Sequence, residues 1–242
     1  MQAVILAGGL GTRLSPLTRT MPKPMVPVAG VPYLEHQLRL LKQQGIIDIL
    51  LLTGYLGNQI ESYFRNGDRF GLSIRYSQEA SPMGTGGALR EARSLMADDF
   101  LVIYGDSYLP IQYAPVLERL RASKAGGLLV VYDNRSGEST VPNNVALGPG
   151  GYVTCYAKDA GQEFDLQYVE AGVLAFRKSA LELMPVAGIV SLEKHLFPLL
   201  IARRELIAFI TPQRFYDIGT PERLKAIESL LSHDHHANSI SN

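Results

Sequence analysis

The opening of the chain constrains it most. Five apolar residues, Ala3-Val4-Ile5-Leu6-Ala7, break at once into Gly8-Gly9-Leu10-Gly11-Thr12-Arg13-Leu14. A short apolar run bounded by glycines reads as a buried strand entering a tight loop. Glycines there let the backbone approach a ligand closely and aim several N–H groups at it, which suits phosphate. Arg13 adds a forked cation inside the loop, and Lys23, framed by Pro22 and Pro24, follows ten residues later. Together these features point to a nucleoside triphosphate site.

The loop differs from two other phosphate-binding glycine loops. Counting from Gly9, the dinucleotide fingerprint would need glycine where Leu14 stands, and no Gly-Lys-Ser/Thr follows to make a Walker loop. A turn whose glycines serve packing alone would have no use for Arg13 and Lys23.

Downstream, strands and helices alternate, the pattern of a layered α/β fold with a mostly parallel sheet. Leu34, Leu38 and Leu41 give the stretch from Tyr33 to Gln44 an amphipathic helical period, with Gly45 as its stop. Ile49–Thr53 is apolar throughout, as a central parallel strand is. Asn58 is expected to cap a short helix ending near Gly67. A third strand is expected over Leu72–Ser77, a helix over Gly87–Leu95 and a fourth strand over Phe100–Tyr104. This first half predicts a Rossmann-like core. In the second half, strand-like runs at Leu128–Tyr132, Val145–Leu147, Tyr152–Ala157 and Val169–Phe176 lie closer together, as antiparallel strands beside the core would. Ser191 is expected to cap a helix over Leu192–Ile201, and Thr220-Pro221-Glu222 opens another. The expected architecture is a Rossmann-like three-layer sandwich with a mostly parallel mixed sheet and a small antiparallel extension. Residues 1–231 are read as one domain, and 232–242 as a polar, solvated tail.

Charge and composition exclude several classes. The chain carries 23 basic and 23 acidic side chains, which argues against a nucleic-acid or anionic-membrane surface. No apolar stretch approaches the roughly 20 residues that span a bilayer. Cys155 is the only cysteine, so no internal disulfide forms and a reducing, cytoplasmic setting fits. His36, His233 and His235 suggest no metal-ligand set.

Ligands in open parallel sheets sit beyond the carboxyl ends of strands. Three polar segments fall there: the Gly8–Arg13 loop, Ser81-Pro82-Met83-Gly84-Thr85-Gly86-Gly87, and Gly105-Asp106. The stretch from Leu6 to Leu14, with Pro16-Leu17-Thr18 and Pro22-Lys23-Pro24, resembles the signature of sugar-1-phosphate nucleotidyltransferases. Later markers extend the resemblance to about residue 230, and it is strongest to heptose- and mannose-1-phosphate guanylyltransferases. The resemblance implies that Leu6, Ala7, Gly8, Gly9, Gly11, Thr12, Gly84 and Thr85 bind the nucleotide. It places Glu79 at the position that faces the base. A carboxylate only accepts hydrogen bonds, so Glu79 suits the N1–H and N2 amino group of guanine and leans the reading toward GTP.

In the same family Asp106 and Asp217 would hold Mg²⁺, whose octahedron phosphate oxygens and water complete. Lys158 aligns with a lysine that binds the sugar phosphate, although the acidic residue that usually precedes it is missing. Glu170 stands where the family strand marker has Asn, and Asn144 is a further candidate for sugar hydroxyls. The implied partners are an NTP and a sugar 1-phosphate of the mannose or manno-heptose type. The implied products are a nucleotide sugar and pyrophosphate; a homo-oligomer is left open. Arg13 and Lys23 would act by neutralising charge in an in-line displacement that requires no side-chain nucleophile. A uridylyl- or cytidylyltransferase of the same fold is the first alternative, and a non-catalytic nucleotide-sugar-binding regulator the second.

Overall fold

The apolar runs become strands buried on both faces. The computed structural model describes residues 1–136, 139–157 and 165–239. Its first half runs β1 (Gln2–Leu6), β2 (Pro27–Val28), β3 (Val31–Pro32), α1 (Tyr33–Gln43), β4 (Asp48–Thr53), α2 (Gly57–Phe64), β5 (Ser73–Gln78), α3 (Gly84–Glu91) and β6 (Asp99–Tyr104). The second half runs β7 (Ser107–Tyr108), α4 (Ala114–Arg121), β8 (Gly127–Asp133), β9 (Val145–Leu147), β10 (Val153–Tyr156) and β11 (Tyr168–Arg177). It ends with α5 (Phe197–Ala202), β12 (Leu206–Thr211), β13 (Tyr216–Asp217) and α6 (Pro221–Ser239).

Strands β5, β4, β1 and β6 lie side by side and parallel. The antiparallel β11 joins β6 to β8, and β12 adds in parallel beyond β8. The short β9 and β10 branch from the start of β11 at the Tyr168–Val145 pair. Side chains alternate between the two faces, as strand geometry requires. Ala3, Ile5, Ile49, Leu51, Leu101 and Ile103 pack under α1, α2 and α4, whereas Val4, Leu50, Leu52, Phe100 and Val102 pack under α3 and α5. The sandwich is therefore three-layered and its sheet mostly parallel and mixed, as expected.

A third, smaller cluster lies outside the sandwich. Leu14, Val26 and Val28 from the opening loops pack with Tyr33, Tyr108, Ile218, Ile227 and Leu231. It clamps the glycine loop and the Lys23 segment between α1 and α6.

Several local expectations shift. Asn58 does not cap α2: Leu56 takes the cap position with a left-handed φ of 53° and no side-chain cap bond, so the helix starts at Gly57. The helix expected from Gly87 begins at Gly84 and tightens into a 3-10 turn over Ala92–Leu95. The third strand ends one residue later, at Gln78. Ser191 does cap, accepting from the Lys194 amide, but the helix it opens starts as a π turn over Leu192–Leu196 before α5. Two further elements lie outside the expected set, α4, which buries Val116, Leu117 and Leu120, and β12. The backbone of α6 remains helical to Ser239, past the expected domain end at 231; residues 240–242 and the side chains from His233 onward lie outside the described residues.

One irregularity bears on the site. Between Glu170 and Leu174 the β11–β8 register slips, and Gly172 sits in the bulge at φ 77°. A Cβ at this glycine would lie 2.2 Å from Ser107 Oγ. Both the backbone conformation and the space require glycine here. Gly172→Ala should therefore cost about 2–4 kcal/mol of folding stability, measurable by urea denaturation.

Candidate active site

A cavity of about 290 Å³ opens beyond the carboxyl ends of β1 and β6, which stay paired to Leu6 and Tyr104. Its floor is Leu6–Leu10, one wall is Pro82–Thr85 with Glu79, and the other is Tyr104–Asp106 with Lys23. The three polar segments expected at strand ends therefore meet in one place. Among the described residues, the amides of Gly8, Gly9, Leu10, Gly11 and Thr12 donate to no protein acceptor. Such a row of available N–H groups is an anion cradle. Gly11 takes φ 64°, and a Cβ there would lie 2.9 Å from Lys23 Cβ, so the loop folds directly onto the Lys23 segment. Thr18 Oγ1 ties it down by donating to the Gly11 carbonyl at 2.9 Å.

Lys23 is 9% exposed, and its ammonium pairs with Asp106 Oδ2. Asp106 is held from below by α1. Tyr33 donates its hydroxyl to the Asp106 carbonyl at 3.1 Å, and Gln37 Nε2 donates to the carbonyls of Tyr104 (2.9 Å) and Ser107 (2.6 Å). Asp217 arrives from far along the chain. Strand β13 pairs antiparallel with β7, placing Asp217 opposite Ser107, and the Ile218 amide donates to the Asp106 carbonyl at 3.1 Å. Burial first, and then the Asp106 and Asp217 carboxylates, push the Tyr33 phenol well above its ordinary pKa. Both acids thus act on one hydroxyl.

Asp217 Oδ1 accepts from the Gly219 amide at 2.6 Å, and the carboxylate pairs with Arg223 at 3.1 Å. Arg13 is exposed on the same side. A Cβ at Gly219 would lie 3.6 Å from both terminal nitrogens of its guanidinium. Two carboxylates brought together beside a phosphate cradle fit Mg²⁺, a hard ion that takes one or two protein carboxylates and fills its octahedron from phosphate and water. Among the described residues no group of three or more His, Cys, Asp and Glu gathers into a self-sufficient metal site, so a metal here would depend on the ligand's oxygens.

Glu79 stands at the other end of the cavity. Its carboxylate packs directly on Gly8 and Gly54, where a Cβ would lie 2.9 Å and 2.8 Å from Glu79 Oε1. Its Oε2 accepts from the Met83 amide at 3.0 Å. Burial raises its pKa above the usual carboxylate range, partly offset by that amide. The adjoining space toward Leu10, Tyr55 and Ser81 continues past the same carboxylate. A ring reaching Glu79 from the phosphate cradle would pass into it.

The remaining candidates are more dispersed. Thr85 lines the cavity, but its hydroxyl is already engaged, donating to Glu193 Oε2 at 3.1 Å and accepting from the Leu192 amide at 2.9 Å. Asn144 is buried, with Oδ1 accepting from the Glu170 amide at 2.8 Å. Glu170 turns back along its own strand, where Oε1 accepts from the Gly172 amide at 2.6 Å. Neither Asn144 nor Glu170 lines the 290 Å³ cavity. Lys158 lies outside the described residues.

One functional candidate escaped the sequence reading, Glu193. It accepts from Thr85, from Ser191 Oγ at 2.6 Å and from the Tyr104 hydroxyl at 2.9 Å. Tyr104 lines the cavity, so Glu193 joins the Thr85 wall to the Tyr104 wall. Burial, Glu170 and Glu193 push the phenols of Tyr104 and Tyr156 upward, and the buried Tyr156 hydroxyl has no partner among the described residues. In sequence, Glu193 is only the second residue of a capped helix, and nothing there marks it as polar core.

Comparison with known proteins shows the family of the chain. The profile of the nucleotidyl transferase family matches residues 2–140. A mannose-1-phosphate guanylyltransferase of Mycobacterium tuberculosis is 32% identical over 92% of this chain, which spans 62% of that protein. A D-glycero-alpha-D-manno-heptose 1-phosphate guanylyltransferase of Aneurinibacillus thermoaerophilus is 31% identical over 96% of this chain and 99% of its own length. The crystal structure of HddC from Yersinia pseudotuberculosis with GMP-PN superposes with a TM-score of 0.78 and 26% identity, covering 95% of this chain and 99% of that one. No helix among the described residues is long and apolar enough to cross a membrane. The chain belongs to the nucleotidyl transferase family, and these relatives are named for guanylyl transfer to sugar 1-phosphates.

Proposed function

We propose that residues 1–231 form a catalytic domain that transfers a guanylyl group from GTP to a mannose or manno-heptose 1-phosphate, releasing pyrophosphate. What carries the base assignment is the Glu79 carboxylate, an acceptor-only group at the far end of the cavity from Lys23 and Asp106. Guanine offers it two adjacent donors, N1–H and the N2 amino group, where uracil offers one ring N–H between two acceptors and cytosine an acceptor. The manno preference draws support from the relative that matches this chain along its whole length.

In this reading the Gly8–Thr12 amides hold the phosphates and Arg13 gathers the departing pyrophosphate. An oxygen of the sugar phosphate attacks the α-phosphorus as the bond to the pyrophosphate oxygen breaks, so no side chain becomes covalently modified. Lys23, already at the cavity wall, neutralises charge between the two phosphates as they approach. Asp106 and Asp217 would hold Mg²⁺, which lowers repulsion between the anions and orients the α-phosphate. Lys158 serves the sugar phosphate, and Asn144, Glu170, Glu193 and Tyr156 supply the polar surroundings for sugar hydroxyls.

Pyrophosphate release, measured with each of four NTPs against mannose-, manno-heptose-, glucose- and N-acetylhexosamine 1-phosphates, tests the proposal. Turnover confined to GTP with a manno-configured sugar is expected; turnover with UTP or CTP alone would refute the base assignment. Arg13→Ala and Asp106→Ala should each lose about 10²-fold or more in kcat/KM. Near-normal rates in both would remove these residues from the mechanism.

Two further outcomes separate the base and sugar ends. Guanine recognition needs Glu79 ionised, and burial raises its pKa. GTP affinity should therefore weaken as pH falls through a value above the usual carboxylate range, and Glu79→Gln should abolish that dependence and lower the preference for GTP. The same shift makes an ionised Glu79 a stability cost to the ligand-free fold, with the relative stabilisation present at low pH and lost as pH rises through the raised pKa. At the sugar end, Tyr156→Phe removes a buried hydroxyl that has no partner among the described residues. The ligand-free protein should be unchanged or more stable by about 1 kcal/mol, while KM for the sugar 1-phosphate rises. An unchanged KM would place this hydroxyl outside the sugar site.

A further inference from the structure

Both carboxylates read as metal ligands are already neutralised by the protein's own cations. Lys23 covers Asp106, and Arg223 covers Asp217. The two cations differ in what a substrate offers them. Lys23 lines the cavity, where an arriving triphosphate supplies a new anion for it. Arg223 does not. It stands in the first turn of α6 and lines, together with Asp217, Ser139, Thr140 and Arg214, a separate small cleft.

Its hold on Asp217 is close to complete. One guanidinium nitrogen, Nη1, lies 3.1 Å from Oδ2 and 3.3 Å from Oδ1, so it spans both oxygens. The Asp217 side chain is only 14% exposed and that of Arg223 28%, so the pair is partly withdrawn from solvent and weakly screened. The Gly219 amide holds Oδ1 independently at 2.6 Å, which fixes the carboxylate in place whether or not Arg223 is present. A divalent ion approaching Asp217 therefore meets a preplaced acid that a protein cation already occupies.

We propose that Arg223 competes with divalent metal for Asp217, so that the site takes its metal together with the triphosphate instead of ahead of it. This rests on the reading of Asp106 and Asp217 as metal ligands. Alone, a divalent ion must displace Lys23 and Arg223 and gains two carboxylates. Accompanied by a triphosphate, it brings phosphate oxygens as further ligands, and the same phosphates neutralise the released Lys23 and the nearby Arg13. Arg223 thus sets a threshold that only the metal–nucleotide complex passes.

The test is Mn²⁺ binding without nucleotide, followed by electron paramagnetic resonance on the full chain. Arg223→Met and Arg223→Gln should each bind Mn²⁺ about tenfold more tightly than the parent, as expected from removing one adjacent, partly buried charge. Arg223→Lys, which keeps the charge, should stay near the parent. Adding Asp217→Asn to Arg223→Met should erase the gain. If both neutral variants fold and bind Mn²⁺ no better than the parent, while Asp106→Asn and Asp217→Asn weaken Mn²⁺ binding with a non-hydrolysable GTP analogue present, the competition is refuted and the metal assignment stands. If neither aspartate variant weakens Mn²⁺ under those conditions, the metal assignment itself fails, and the role of Arg223 with it.

Discussion

The site depends on two residue pairs of backbone far apart in the chain. Strand β13 returns more than a hundred positions after β7 to pair Tyr216 with Tyr108 and Asp217 with Ser107. That pairing lies over the small cluster of Leu14, Val26, Tyr33, Ile218 and Ile227, which also holds the glycine loop and the Lys23 segment. Burial of this apolar set therefore does more than add stability. It brings an anion cradle, a lysine and two acids from four separate segments to one edge of the sheet.

The charges at that edge are balanced before any substrate arrives. Asp106 with Lys23 and Asp217 with Arg223 form two neutral pairs, and Arg13 adds a positive charge beside them. Leaving either acid unpaired and partly buried would be costly, so the pairs stabilise the ligand-free protein. A polyanion entering this region meets net positive charge. Lys23 and Arg13 are the cations such a polyanion would meet, whereas Arg223 does not line the cavity.

Behind the Thr85 and Tyr104 walls, polar side chains are tied to one another and to nearby backbone amides. Glu193 bridges Thr85 and Tyr104, and Glu170 folds onto the bulge at Gly172. These bonds hold the walls at a set distance, and the Tyr156 hydroxyl is buried with no partner among the described residues. The bulge is also where β11 leaves regular pairing with β8, so the sheet irregularity and the polar network occupy the same place.

Most of the fold was legible because its signals are local. The apolar strands, the amphipathic α1 and the Thr220-Pro221 helix start follow from periodicity and capping, and the glycines from Gly8 mark where β1 ends. Where neighbours decide, local signals misled: Asn58 looks like a cap, yet Leu56 takes that position because the chain turns there through a left-handed residue. Glu193 carried no signal at all, since its importance comes from residues 89 and 108 positions away. The amino-acid sequence by itself determined the apolar core strands, the amphipathic α1 and the glycine loop that carries Arg13. Only the tertiary structure decided that Arg223 occupies Asp217 and that Glu193 joins two walls of the cavity. Hydrogen bonds and ion pairs act over a few ångströms of space, and no spacing along the chain records which distant groups folding will bring that close.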